Sequence, residues 1–233
     1  THLFVQNEYS VSLLEKIGVR NTTVVGDTRF DRVLEICRQA KELPIVEQFK
    51  GNAVTLVAGS SWAPDEDIFI PYFNAHPKMK LIIAPHVIDE SHIKEIIGKL
   101  DRTVVRYTQA TPETVAQADC LIIDCFGLLS SIYRYGEIAY IGGGFGVSIH
   151  NTLEAAVYGM PVIFGPNNKK FQEAQDLLAC KGGFEILGAQ DFNQLMDRFL
   201  TDNSFLDKAG KKAGNYVRDN SGALEKIMHE ISF

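Results

Sequence analysis

"IGGGFGVSIHNTLEAAVYG", residues 141–159, joins the end of an apolar strand pattern to a glycine-rich loop and then to a helix pattern. The strand pattern begins at "IAYIGG" 138–143, and another, "PVIFG" 161–165, follows the helix directly. A strand, a helix and a second strand in this order form a βαβ unit, which places both strands parallel in one sheet. The stretch therefore predicts a parallel α/β fold.

The same alternation runs along most of the chain. Further strands are predicted at 22–25, 53–59, 80–85, 103–107, 120–124 and 184–187. Helices are predicted at 7–18, 31–43, 64–76, 89–100, 127–136, 151–159, 170–182 and 189–202, with an amphipathic helical tail from about 204. Several strands are continuously apolar, as strands buried on both faces are. We therefore expect a Rossmann-like parallel sheet with helices on both faces.

Composition narrows the classes of function. The 233 residues carry a net charge of −6, which argues against a nucleic-acid partner. No apolar run is long enough to span a membrane. The four cysteines lack the spacing of a metal or disulfide site, so we predict mostly buried free thiols in a reducing compartment. The chain opens with "THLFVQNEYS" rather than methionine, and we expect it to be part of a longer protein.

Ligands of parallel α/β sheets bind beyond the carboxyl ends of the strands. The loops there are "GSSWAPDE", "PHVIDESH", "CFGLL", "GGFGVSIHN" and "GPNNKKF", and four of them carry Gly, Ser, His or Asn just before a helix. Free N–H groups and the positive end of the helix dipole favour an anion there. No GxxxxGK[ST] loop exists, and "GGGFG" is not a convincing dinucleotide motif. The sequence thus predicts a phosphate-binding edge of another kind.

Asn151 and Glu154 allow two interpretations. They could cap the helix at 151–159, with Asn151 as N-cap and Glu154 folding back onto the backbone. Alternatively, Glu154 accepts hydrogen bonds from a ribose diol while the glycines at 142–144 and 146 let a ligand approach the backbone. The two interpretations are compatible.

Other loop residues carry weaker signals. Ser60 and Ser61 could bind a carboxylate or phosphate, or simply cap a turn, and His150 could donate to a phosphate or sugar. Trp62 could flank a ligand or cover the sheet edge, and Lys169 and Lys170 could attract an anion or be solvated. The acidic run at 65–67 is typical of dipole-favoured first-turn charge, and no metal site is expected there.

Five ordered motifs resemble the 3-deoxy-D-manno-octulosonic acid (Kdo) transferases, which are two-domain GT-B glycosyltransferases. The run from the GGG of 142–144 through H-N-x-L-E-A-A to F-G-P at 164–166 is similar to their donor site. "VVGDTRFDRV" 24–33 resembles their G-N-x-K-F-D segment, and "VAGSSWAPDE" 57–66 their A-[AG]-S-T-H-x-G-E-E loop. "LIIAPH" 81–86 resembles their strand ending in P-R-H, and "DCFGLLSSIY" 124–133 their D-T-x-G-E-L-x-x-L-Y segment.

This resemblance implies a function and a division of the chain. Residues 1–30 would be the tail of an N-terminal acceptor domain and linker, and 31–233 the C-terminal donor-binding domain. The expected reaction is inverting transfer of Kdo from CMP-Kdo to a lipid A precursor in lipopolysaccharide synthesis, with no metal and no other cofactor. The acceptor would bind the N-terminal domain at the cytoplasmic face of the bacterial inner membrane. The full-length protein would be membrane-associated and this portion soluble.

The resemblance also implies site residues. In the family the CMP is held by a P-R pair, an M-G-E triplet and an N-x-L-E segment. These correspond here to Pro85 and His86, to Phe126, Gly127 and Leu128, and to Asn151, Thr152, Leu153 and Glu154. Ser60, Ser61, Gly143, Gly144 and His150 complete the predicted donor site.

Two departures from the family pattern, at His86 and Leu128, qualify these expectations. His86 replaces an arginine, so its charge depends on pH. Leu128 replaces a glutamate, so any contact there would be made by backbone. Arg29 occupies the position of a lysine thought to stabilise the leaving phosphate, although it could instead form a surface ion pair with Asp27 or Asp31. No segment of 1–30 matches the motif of the family's general base, a glutamate, so we expect this chain alone to be inactive.

Two other classes of function stay open from the sequence. A sugar-nucleotide epimerase of the same architecture would use UDP-sugars. A flavodoxin-like binding or signalling domain would share the strand and helix alternation but would not bind a cytidine nucleotide.

Overall fold

Two parallel sheets organise the computed structural model, which describes residues 2–231. Thr1, Ser232 and Phe233, which the predicted domains include, lie outside the described residues. Strands β1 (Leu3–Val5) and β2 (Thr22–Val24) pair with each other. The main sheet comprises β3 (Thr55–Ser61), β4 (Lys80–Pro85), β5 (Val104–Arg106), β6 (Cys120–Ile122), β7 (Ile138–Ile141), β8 (Val162–Phe164) and β9 (Gly183–Glu185). Its order is β5-β6-β4-β3-β7-β8-β9, which confirms the predicted parallel Rossmann-like fold.

Twelve α-helices connect and cover these strands within residues 2–231. They are α1 (Glu8–Lys16), α2 (Thr28–Arg38), α3 (Pro44–Lys50), α4 (Ala63–Ala75), α5 (Glu90–Lys99), α6 (Pro112–Gln117), α7 (Leu129–Ile132), α8 (Leu153–Ala156), α9 (Gln172–Cys180), α10 (Ala189–Thr201), α11 (Asn203–Asp219) and α12 (Ala223–Ile231). The sequence patterns did not predict α3, α6 or β1, and they predicted α8 longer than it is.

Side-chain alternation along the strands builds a hydrophobic core on each face of the main sheet. Val57 and Ile82 point into one core, which α2, α3, α6, α7, α8, α9 and α11 cover. Leu56 and Leu81, one residue earlier on the same strands, point into the other core, under α4, α5 and α10. Burial on both faces explains why these strands are apolar throughout. All four cysteines are free thiols, although only Cys120 is fully buried.

The N-terminal βαβ unit packs differently from the rest. None of residues 8–16 in α1 is buried, and Tyr9 and Ile17 are 69% and 74% exposed. Helix α2 begins at Thr28 and therefore runs across the predicted boundary between residues 30 and 31. An apolar helix face left exposed is typical of a surface that packs against further structure. The assignment of 1–30 to another domain stays a prediction.

The carboxylate of Asp31 links α2 to the last helix, α12. Asp31 accepts hydrogen bonds from the backbone N–H groups of Gly222, Ala223 and Leu224, at 2.7, 3.1 and 3.3 Å. These are the unpaired donors of the first turn of α12, so Asp31 caps this helix from a distant part of the chain. Asp31 is therefore not the ion-pair partner of Arg29 that the sequence allowed.

Candidate functional site

Three aromatic rings from three loops meet at the carboxyl edge of the main sheet. Trp62 follows β3, His86 follows β4, and His150 lies in the loop between β7 and α8. The His86 ring stacks on the Trp62 ring with centroids 4.6 Å apart, and on the His150 ring at 4.4 Å. The indole Nε1 of Trp62 also donates to Nε2 of His150, at 3.3 Å. The parallel-strand rule correctly predicted that these loops would converge.

The electrostatics of this ring cluster favour a neutral His150. Burial lowers the pKa of His150, because it disfavours the imidazolium, and the neighbouring His86 lowers it further. The carboxylate of Asp65 opposes this shift.

A pocket of about 240 Å³ opens next to the ring cluster. It is lined by Ser60, Ala84, Pro85, His86, Ile88, Ile123, Cys125, Phe126, Gly127 and Leu129. Five of these are predicted site residues from the ends of β3 and β4 and the loops after β4 and β6, and the pocket brings them together. Phe126 stands at its rim, 82% exposed, and Leu128 is not among the lining residues. The apolar walls suit a flat ring with few polar groups.

The end of β3 is strained where it enters the site. Ser60 has a left-handed φ of +53°, and the register of β3 against β4 shifts between Gly59 and Ser61. This conformation costs energy for a residue with a side chain, and residues strained in this way cluster at functional sites. Ser61 is fully buried and donates its hydroxyl proton to Glu66, at 3.0 Å. Its hydroxyl is therefore used inside the protein.

The acidic run after this strand is largely buried, which the sequence interpretation did not foresee. Asp65 is 1% exposed and Glu66 is fully buried. One oxygen of Asp65 accepts from the backbone N–H groups of Trp62 and Gly143, at 3.0 and 2.9 Å, and the other accepts from the Tyr140 hydroxyl, at 2.9 Å. Asp65 therefore joins the loop after β3 to the loop after β7.

Glu66 connects α4 to the loop after β4 through His92. His92 of α5 contacts its carboxylate through Nε2 at 3.0 Å, and the other ring nitrogen of His92 lies 3.0 Å from the carbonyl oxygen of Val87. Val87 follows His86, so this chain of contacts holds the loop that carries His86.

The glycines after β7 make room for the protein's own backbone. A Cβ on Gly142 would lie 2.2 Å from the Ser60 carbonyl oxygen, and one on Gly144 would lie 2.5 Å from the Gly165 nitrogen. Gly143 has a φ of +89° and packs against the Ser148 carbonyl. These three glycines are buried. Gly142, Gly143 and Gly144 therefore have a packing role, and the expectation that they also let a ligand approach the backbone stays a prediction.

The segment 150–154 differs in detail from the predicted helix cap. Helix α8 begins at Leu153, with Thr152 as its N-cap, and the Asn151 side chain accepts from the Leu153 N–H at 3.0 Å. Glu154 does not fold back onto the backbone, because Oε1 accepts from the Asn151 amide at 3.0 Å. Burial raises the pKa of the half-buried Glu154 carboxyl.

Two predicted contacts of this segment cannot be made by side chains in this conformation. Thr152 and Leu153 are both fully buried. The Thr152 hydroxyl makes no hydrogen bond within residues 2–231, and Leu153 belongs to the core.

Arg29 is not among the residues that line the pocket next to the ring cluster. Its guanidinium binds Glu173 of α9 through two hydrogen bonds of 2.8 and 3.1 Å, and its Nε donates to Asp27 at 2.8 Å. Hydrogen bonds to both carboxylates raise the pKa of Arg29. The predicted alternative, an ion pair with Asp27, is therefore present.

Two further properties bear on function. Within residues 2–231, no group of three or more His, Cys, Asp or Glu side chains could hold a metal ion. None of the helices between residues 2 and 231 combines the length and apolar character that crossing a bilayer requires.

Comparison with known proteins identifies the sequence relatives. No family model matches the chain. The 3-deoxy-D-manno-octulosonic acid transferase of Rickettsia bellii is 27% identical over 240 residues, which cover 100% of this chain and 57% of that protein. The chain is a sequence relative of the Kdo transferases. This confirms the resemblance predicted from the motifs, and the chain spans about half the length of the curated relatives it matches.

Solved structures share the fold. The C-terminal CMP-Kdo binding domain of WaaA from Acinetobacter baumannii matches with a TM-score of 0.64 and 20% identity, over 81% of this chain and 97% of that one. A UDP-N-acetylglucosamine 2-epimerase matches with a TM-score of 0.60 and 13% identity, over 97% and 55%. The fold alone therefore does not separate Kdo transferases from epimerases, whereas the sequence relationship favours the former.

Proposed function

We propose that this chain is the donor-binding part of a glycosyltransferase that moves Kdo from CMP-Kdo to a lipid A precursor in lipopolysaccharide synthesis. The observation that carries the proposal is the pocket at the carboxyl edge. Its lining includes Pro85 and His86 at the positions of the family's P-R pair, and Phe126 and Gly127 at two positions of its M-G-E triplet. His150 of the H-N-x-L-E segment stacks on the lining residue His86. Sequence similarity to Kdo transferases over the whole chain supports the same donor.

In this proposal the base, the phosphate and the ribose of the nucleotide bind to different residues in and around the pocket. The cytosine ring enters the apolar pocket beside Phe126 and Pro85, and the phosphate lies at His86 and His150. The free oxygen of Glu154 accepts from the ribose diol. Glu154 lies close to Tyr133. The Tyr133 hydroxyl in turn packs against Gly59, near the end of β3. Contacts from Thr152, Leu153, Gly143 and Gly144 would come from backbone atoms.

Arg29 remains our proposed source of positive charge for the leaving phosphate. Its charge is balanced by Asp27 and Glu173, so this role requires the guanidinium to leave Glu173 when the donor binds. Arginine suits such an exchange because its planar fork fits carboxylate and phosphate oxygens alike.

Transfer is proposed to invert the anomeric centre without a metal ion or other cofactor. A base must take the acceptor hydroxyl proton while the phosphate leaves. We propose that this base and the lipid acceptor site belong to an N-terminal domain at the cytoplasmic face of the inner membrane. The chain alone is then expected to form no product from CMP-Kdo and a lipid A precursor, and product above the no-enzyme control would contradict this.

Calorimetric titration with CMP, UMP and FMN tests the proposed function. CMP should bind about fivefold to tenfold more tightly than UMP, because loop carbonyls can accept one hydrogen bond, worth about 1 kcal/mol, from the cytosine amino group. Equal or tighter UMP binding would contradict the CMP-Kdo assignment and favour an epimerase. Preferred binding of FMN would favour a flavodoxin-like domain.

Glu154→Gln separates ligand binding from helix capping. The amide keeps an acceptor for Asn151 but loses the charge-assisted hydrogen bond to a ribose diol. We expect CMP affinity to fall by about 1.5–3 kcal/mol, roughly 10-fold to 150-fold, while unfolding free energy changes by less than about 1 kcal/mol. Calorimetry and urea unfolding measure the two effects. A loss of stability with unchanged CMP affinity would leave Glu154 only a structural role, through its contact with Asn151.

A further inference from the structure

Trp62 is the single tryptophan of the chain, and its indole constrains His150. An indole N–H can only donate a hydrogen bond, and this one faces Nε2 of His150 at 3.3 Å. Nε2 must therefore offer its lone pair, so the proton of the neutral ring lies on Nδ1. Protonation of Nε2 would bring two N–H groups against each other.

The polar groups around His150 are engaged with other partners. The charge of Asp65 of α4 favours an imidazolium at His150, but its oxygens already accept three hydrogen bonds from other donors. On another side Gly143 packs against the ring, where a Cβ would lie 3.2 Å from Cδ2, and residues 142–149 carry no titratable side chain. Glu154 of α8 is engaged by Asn151.

His86 is in a different situation. It is exposed, and its ring nitrogens make no hydrogen bond within residues 2–231. The titratable groups behind its loop, His92 of α5 and Glu66 of α4, are paired with each other. Its ring lies 4.4 Å from that of His150, so two imidazolium ions would repel each other there. A proton taken up by the pair therefore goes to one ring.

We propose that Trp62 is a positioning residue that fixes His150 as the neutral Nδ1–H tautomer, so that His86 alone takes up a proton when a nucleotide phosphate binds. His150 then donates through Nδ1–H, and His86 supplies the positive charge. For its ligand the inference rests on the proposed function, while its first test needs no ligand.

The tautomer can be measured in the free protein by ¹⁵N NMR of the histidine rings. Wild-type His150 should carry its proton on Nδ1. Trp62→Phe keeps an aromatic ring but removes the indole donor, so the Nε2–H form of His150 should become populated. An Nε2–H tautomer in the wild type, or an unchanged tautomer in W62F, would overturn the role of Trp62.

The proton uptake is tested by CMP affinity between pH 6.5 and 8.5. This range lies above the second ionisation of a phosphate monoester, near pH 6. Wild-type affinity should fall by about tenfold as the pH rises, because the bound state holds one more proton. His86→Arg carries a permanent charge, so its CMP affinity should vary little with pH. Any slope caused by ionisation of the ligand itself would appear in this variant too, so it also serves as the control for that effect. His150→Gln should bind more weakly but keep the wild-type pH slope.

The inference predicts opposite pH dependences of CMP affinity for the two variants. A slope that persists in H86R, or one that disappears in H150Q, would place the proton elsewhere and overturn the inference. If CMP binds at no pH, the proposed function fails together with the proton uptake, while the tautomer measurement still decides the role of Trp62.

Discussion

Asp65→Ala should lower the free energy of unfolding by about 3–5 kcal/mol. The substitution leaves three donors without an acceptor: the backbone N–H groups of Trp62 and Gly143 and the hydroxyl of Tyr140. Each buried donor that loses its partner costs about 1–3 kcal/mol, and the three losses are not fully additive. Urea unfolding followed by circular dichroism measures the effect. A loss below about 1 kcal/mol would mean that water replaces the carboxylate.

Asp65→Asn is the matched control. Its amide oxygen can accept from both backbone N–H groups, and its NH₂ can donate to the Tyr140 oxygen, so we expect a loss below about 1 kcal/mol near neutral pH. Burial raises the pKa of Asp65, so the folded protein holds this proton more tightly than the unfolded chain. Wild-type stability therefore falls as pH rises from the ordinary carboxyl range through the raised pKa, whereas D65N lacks this loss. Relative to the wild type, D65N should gain stability over that interval.

The fold could be predicted because apolar strand patterns and helix patterns alternate with little ambiguity. All eight predicted strands exist. Burial on both faces leaves a continuous apolar signal in β3, β4, β6, β7 and β8. β1 has only three residues, none of them buried, and α3 and α6 are short helices with proline in their first turn. Helices of six and seven residues cover fewer than two turns, which is too short to show the helical period.

The site could be predicted only as far as the loops that form it. The parallel-strand rule brings the loops of Trp62, His86 and His150 to one edge, but no local pattern indicates that their rings stack. The local sequence indicates Asp65 only as a first-turn acid of α4, and its nearest partner Trp62 is three positions away. Its other partners, Tyr140 and Gly143, lie 75 and 78 residues away, so the sequence around Asp65 does not indicate these contacts.

Gly142→Ala should lower the free energy of unfolding by about 3 kcal/mol, near the upper end of the range for overpacked sites. The added Cβ would lie 2.2 Å from the carbonyl oxygen of Ser60 and 2.6 Å from the Cα of Ser61. These are backbone atoms of the central strand β3, which cannot move aside as a flexible side chain can. Because the Gly142 carbonyl accepts from the His150 N–H at 3.1 Å, the displacement should also move the ring cluster and weaken CMP binding.

Gly146→Ala, in the same loop, separates this packing role from ligand approach. Its Cβ would meet only the Gly143 carbonyl, at an ordinary 3.6 Å, and Gly146 is exposed, so we expect unfolding free energy to change by less than about 0.5 kcal/mol. If the glycines served to admit the ligand, both variants would fold normally and both would lose CMP affinity. The structure instead predicts that G142A loses stability and affinity together while G146A keeps both. Urea unfolding and CMP titration of the two variants decide between these patterns, because only overpacking against β3 links the loss of binding to a loss of folding.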